Sequence, residues 1–228
     1  MNLRLAEGPD VAALPLGADQ IARCRVDFGA KNDDCEMWTD CEQLAARFWS
    51  FSDGPDRETA WHHLLLSVGN FKRQTPIRRT HLPASLREVP AARASFDLPD
   101  GRRIERDNPN SWPALCSTSG VGAATATTLL SALWPGRHVI IDQVAWSVTV
   151  ALRATEGRTT RRIPAEATTP LPDISWDDYC LYLPVVCATA REMECEPVDV
   201  ERTLYVLGLK RRGDGDSWLS FGEGIKVA

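Results

Sequence analysis

Apolar positions recur at helical spacing over most of the chain. Thr39-Asp40-Cys41-Glu42 has the form of a capping box ahead of Leu44, Phe48 and Trp49, which predicts a helix starting near Thr39. Ser52-Asp53-Gly54-Pro55-Asp56 should end it. The next helix carries Trp61, Leu64, Leu65 and Val68 on one face and ends near Gly69-Asn70. Further helices are predicted over 111–118, 122–134 and 142–155. Ser175-Trp176-Asp177-Asp178 caps a long apolar helix reaching Met193, and Pro197 opens a last helix that stops at Gly208. Residues 95–105 alternate around Pro99-Asp100-Gly101, a hairpin signal, and 74–92 read as a loop with a short helix. The predicted fold is mainly α, with at most one small β-hairpin. It forms one unit of 1–228: an irregular lead-in (1–36), a helical lobe with the hairpin (37–110), a central segment (111–155), C-terminal helices (156–212) and a tail (213–228).

Composition fits an ordinary globular chain, since neither glycine, proline nor one charge type dominates its 228 residues. No apolar run approaches the roughly 18 residues that span a bilayer, and the first residues lack a signal-peptide core. A cytoplasmic protein with no membrane partner is expected. The seven cysteines show no Cys-x-x-Cys spacing, so free thiols and neither a metal nor another cofactor are expected. Net charge is −5, which disfavours a non-specific nucleic-acid binder. The acid is concentrated in residues 1–60, whereas 72–107 hold nine basic and five acidic residues. That basic stretch suits a solvated surface and an anion-binding face equally.

The chemically informative stretch begins at Gly120-Val121-Gly122, between two predicted helices. Glycines there allow a tight turn, and amides at the start of the next helix can hold a phosphate at the positive end of its dipole. Such turns also simply join packed helices. After the Ala/Thr/Leu helix comes Trp134-Pro135-Gly136-Arg137-His138-Val139-Ile140-Ile141-Asp142. Asp142 begins a helix, where an aspartate commonly serves as the N-cap. Its neighbours Ile141, Val144 and Trp146 predict partial desolvation, which suits a carboxylate that stabilises positive charge or activates water.

In order and spacing, Gly120-Val121-Gly122, the Ala/Thr-rich helix, the Gly/Pro break and the aliphatics leading into Asp142 resemble the helix-hairpin-helix–Gly/Pro–Asp superfamily of DNA glycosylases. The endonuclease III-like and 8-oxoguanine glycosylase-like branches belong to it. The resemblance covers about residues 111–155. It implies a two-lobed helical fold and a role in base-excision DNA repair. It places Asp142 on the catalytic aspartate, which stabilises an oxocarbenium-like sugar or orients water. It places Gly120, Val121 and Gly122 on the hairpin whose amides hold a DNA phosphate. Ala124 falls where bifunctional members carry a Schiff-base lysine, so strand cleavage by β-elimination is not expected.

Trp134, His138, Gln143 and Trp146 flank this segment as pocket candidates. The tryptophans suit stacking on an extruded base, though core packing accounts for them at least as well. His138 reads as a surface residue within reach of a substrate. His62 and His63 diverge on a helix, so one should be buried and the other solvated. Arg161-Arg162 and Lys210-Arg211-Arg212 read as solvated helix ends. The leading expectation is a monofunctional N-glycosidase acting on a base in nucleic acid. The alternatives are the same chemistry on a free nucleoside or nucleotide, and a non-catalytic nucleic-acid or protein-binding scaffold. No pattern in the chain sets an oligomeric state.

Overall fold

In the computed structural model, the residues described are 11–29, 32–52, 54–72, 121–134, 136, 138–155 and 174–214. Every regular element among them is an α-helix: α1 (Ala18–Gly29), α2 (Asn32–Ser50), α3 (Pro55–Phe71), α4 (Ala123–Leu133), α5 (Gln143–Thr155), α6 (Trp176–Glu192) and α7 (Pro197–Asp214). The chain divides into two compact units, one of Met1–Ala30 with Ile141–Ala228 and one of Lys31–Ile140. The mainly α expectation holds for the described residues. The 95–105 hairpin, the 74–92 loop and the 111–118 helix lie outside them, as do Arg161-Arg162 and residues 215–228.

In the Lys31–Ile140 unit, α2 and α3 pack together and both meet α4. α2 buries Trp38, Cys41, Ala45 and Phe48, and α3 buries Trp61, Leu64, Leu65 and Val68, each along one helical stripe. Pro55 fills the first turn of α3, where its missing N–H costs nothing, after Gly54 at a φ of 138°. α4 is buried from Thr125 to Leu133. Two of its threonines bond locally: Thr127 Oγ1 donates to Ala123 O at 3.0 Å and Thr128 Oγ1 to Ala124 O at 2.6 Å. At the other end, Trp49 Nε1 donates to Leu133 O at 2.9 Å, satisfying a carbonyl left over by the helix terminus.

In the other unit, α7 is the hub, packing on α1, α5 and α6. Gly208 allows a close approach: a Cβ built on it would stand 2.3 Å from Val144 Cγ1 and 3.0 Å from Val148 Cγ2. Arg25 of α1 holds the buried Asp199 of α7 through two nitrogens, Nε at 3.0 Å and Nη2. Residues 11–17 lie along the helices, Leu14 N donating to Thr189 Oγ1 at 2.8 Å and Arg153 Nη1 to Ala12 O at 3.1 Å. The capping box expected at Ser175 forms: its hydroxyl accepts from Asp178 N, and Asp178 Oδ2 accepts from Ser175 N at 2.9 Å. α6 ends in a Schellman motif, with Cys195 N donating to Ala190 O and Glu194 N to Arg191 O. Its left-handed position, φ 52°, is occupied by Glu194 rather than glycine.

Three boundaries differ from the sequence reading. The lead-in is not irregular throughout, since α1 lies within it and α2 starts at Asn32. α1 buries only Ile21, Cys24 and Phe28, a stripe too narrow to stand out among its charges. Thr39 therefore sits inside α2, and the Glu42 carboxylate assigned to a capping box instead accepts from Trp38 Nε1 at 2.7 Å. The last helix does not stop at Gly208, which serves as a packing notch, and it runs on through Gly213 to Asp214, into the expected tail.

Candidate functional site

The aliphatic run into Asp142 is buried, with Val139 at 1%, Ile140 at 7% and Ile141 at 0% exposure. It follows the turn at Gly136, whose φ of 80° suits glycine. Asp142 is half-buried and caps α5: its Oδ1 accepts from Ala145 N at 2.8 Å, and its carbonyl accepts from Trp146 N at 2.9 Å. Oδ2 has no hydrogen-bond partner among the described residues. Among the described residues the carboxylate is thus fixed at one oxygen and without a partner at the other. Gln143 beside it is exposed, and its carbonyl accepts from Ser147 Oγ at 2.6 Å.

Trp146 lies one turn further along α5, where Val144 and Ala145 are also buried. Its ring meets Tyr182 of α6 edge-on, centroids 6.1 Å apart. Tyr182 is wholly buried. Burial first, then the Glu201 and Asp142 carboxyls, pushes its phenol well above the ordinary tyrosine range, so it stays protonated. The sequence reading did not single out Tyr182 or Glu201. The only signal available was the apolar periodicity of α6, which marks a core tyrosine and says nothing about its hydroxyl.

The remaining candidates belong to the Lys31–Ile140 unit. Gly120 lies outside the described residues. Val121 is buried, and Gly122 is the N-cap of α4 with no side-chain cap. Its φ of −86° and ψ of −177° are open to any residue, and an added Cβ would meet nothing within 4 Å. Gly122 is therefore not required for a tight turn; its lack of a side chain leaves space over the first amides of α4. Ala124, half-buried in that first turn, stands at the position compared with the lysine.

Trp134 and His138 are core residues. Trp134 packs on Trp49 at 5.3 Å and on the edge of His138 at 6.3 Å between centroids. His138 is 2% exposed, which corrects the surface reading: the turn after α4 folds it back, with its amide donating to Trp134 O. The same cluster contains Arg57, buried with its guanidinium 4.6 Å from the Phe48 ring centre and 5.2 Å from that of Trp49. His63 is exposed and His62 half-buried, rather than one fully buried.

Among the described residues no group of three or more His, Cys, Asp or Glu is placed to hold a metal ion, and no helix is long and apolar enough to cross a membrane. Among the described residues Cys24, Cys41, Cys187 and Cys195 are free thiols. Comparison with protein-family models, with curated proteins and with solved structures finds no match to this chain.

Proposed function

We propose that the protein is a monofunctional N-glycosidase that releases a base from nucleic acid, with Asp142 stabilising the oxocarbenium-like sugar or activating the attacking water. The observation that carries this reading is the state of the Asp142 carboxylate: Oδ1 is anchored on Ala145 N at 2.8 Å, and Oδ2 of the half-buried side chain has no hydrogen-bond partner among the described residues. Breaking an N-glycosidic bond builds positive charge on the sugar. A carboxylate already held in place meets that charge with little reorganisation. The first amides of α4, with no side-chain cap at Gly122, are suited to a backbone phosphate. Ala124 supplies no amine for a Schiff base, so the reading is hydrolytic.

The test is incubation with oligonucleotides bearing a panel of damaged or modified bases, scored for free base. Base release that leaves an unnicked abasic strand until alkali is added, with no borohydride-trapped adduct, is the expected result. An adduct or an alkali-independent nick contradicts the hydrolytic reading.

A second reading, the same chemistry on a free nucleoside or nucleotide, is favoured by the net charge of −5. It is also favoured by Arg25 and Lys210, whose cations are engaged by Asp199 and Asp27. Free nucleosides and nucleotides belong in the same assay. Steep loss of binding with added salt marks the polyanion as the substrate, and a shallow response marks the small molecule. If neither is processed but nucleic acid binds, the protein is a binding scaffold.

A further inference from the structure

The Asp142 carboxylate is fixed through the first turn of α5, the part of a helix that its own backbone holds least. Ala145 N has no carbonyl within the helix to donate to and relies on Asp142 Oδ1 at 2.8 Å. Trp146 N closes the turn on Asp142 O at 2.9 Å. Packing supplies the remaining constraint, and it comes from two helices. From α7, Gly208 lies against Val144 and Val148: an added Cβ would stand 2.3 Å from Val144 Cγ1, 3.0 Å from Val148 Cγ2 and 3.4 Å from Val144 O. From α6, Tyr182 meets the Trp146 ring edge-on. Val144, Ala145, Trp146, Val148 and Gly208 are all buried, whereas Asp142 is half-buried and Gln143 exposed. The α7 notch therefore spans the capped end of α5 at Val144 and its enclosed second turn at Val148.

We infer that Gly208 is a positioning residue for Asp142: its bare Cα seats Val144, and through the first turn of α5 it sets the place of the carboxylate. The catalytic consequence rests on the base-release reading, while the seat itself needs no substrate. Valine has one strongly preferred rotamer in a helix, so Val144 does not readily turn its methyl away. Val148, at 0% exposure, is confined on all sides. A methyl on Gly208 is therefore accommodated where α5 is least enclosed, by displacing the first turn. The Ala145 N–H and the Asp142 carboxylate move with it. A carboxylate that stabilises charge on a sugar acts by being in place beforehand, so a displacement on the order of 1 Å costs rate rather than binding.

Native-state amide hydrogen exchange of Gly208→Ala tests the seat without substrate, since protection of the Ala145 amide reports its bond to Asp142. Protection should fall about tenfold, the scale of one hydrogen bond to a charged group, and the exchange should not respond to low denaturant. Adding Val144→Ala should restore it. Unchanged protection overturns the seat, as does a loss that follows the denaturant slope of global unfolding, which is lowered stability alone. If Gly208→Ala by itself does not fold, its addition to Val144→Ala decides: Ala145 protection should then stay as in Val144→Ala, and a fall overturns the seat. In turnover on the best substrate of the base-release panel, Gly208→Ala should lower kcat about tenfold with KM little changed, and Val144→Ala should recover most of the loss. A wild-type kcat overturns the positioning role. If no substrate is turned over by the wild type, the glycosidase reading falls and the exchange result alone decides whether Gly208 seats Asp142.

Discussion

Gly208 of α7 lies against Val144 in the first turn of α5, so close that a methyl group on Gly208 would stand 2.3 Å from Val144 Cγ1. Val144 is two residues from Asp142, and the contact sets where the capped end of α5 sits on its neighbour. Gly208→Ala should destabilise the protein by about 1–3 kcal/mol, the usual cost of forcing extra volume into a packed contact, measured by denaturant titration. Helix propensity acts in the opposite direction by about 1 kcal/mol, so an observed loss understates the clash. Gly208→Ala combined with Val144→Ala should be less destabilised than the sum of the single changes. Strict additivity would contradict the close contact.

Glu194 holds the left-handed position of the Schellman motif after α6, at a φ of 52°. A residue with a Cβ is disfavoured there by roughly 1 kcal/mol relative to glycine. Glu194→Gly should therefore stabilise the protein, although the added freedom of the unfolded chain offsets part of the gain. The expected result is a higher denaturant midpoint with an unchanged slope. A lower midpoint would mean that the glutamate side chain does more for the fold than its backbone strain costs.

The glycines show why only part of this architecture was legible in the sequence. Gly54 falls in the Ser52–Asp56 stretch that ends one helix before the next, and the structure has α2 stopping at Ser50 and α3 beginning at Pro55. Gly208 carries the same letter in a helical pattern and reads as a stop. Its role depends on Val144 and Val148, more than fifty residues away, and no local pattern reports a contact of that range. The capping box at Ser175 was readable because all its partners lie within four residues. Thr39 and Glu42 have the same spacing, yet α2 starts earlier and Glu42 pairs with Trp38.

The candidate site divides in the same way. Asp142 at a helix start was legible, since an aspartate between aliphatics and a helical run has few other places to be. Burial of His138 was not, because it depends on the turn at Gly136 folding the chain back onto Trp134. The Tyr182 hydroxyl, buried without a hydrogen-bond partner among the described residues, was equally hidden, since no local pattern reports what surrounds it.

Gly122→Asp separates binding from folding at the proposed phosphate site. An aspartate is a favoured N-cap, the backbone at Gly122 accepts any residue, and a Cβ there meets nothing. Stability should be unchanged or up to about 1 kcal/mol higher. The new carboxylate would occupy the amides and repel a phosphate, so affinity for an oligonucleotide should drop at least about tenfold, a small loss on the scale of charged hydrogen bonds. A folded variant with wild-type affinity removes the start of α4 from the binding surface.

The most direct test of the central claim is the single-turnover rate of base release by Asp142→Asn, compared with wild type on the best substrate from the panel. Asparagine also caps helices, so the Ala145 N–H bond and the fold should persist while the charge is lost. The rate should fall at least about a hundredfold, the scale of removing one preorganised group that stabilises charge, with substrate affinity retained. Base release at the wild-type rate would contradict the claim and leave Asp142 as a helix cap alone.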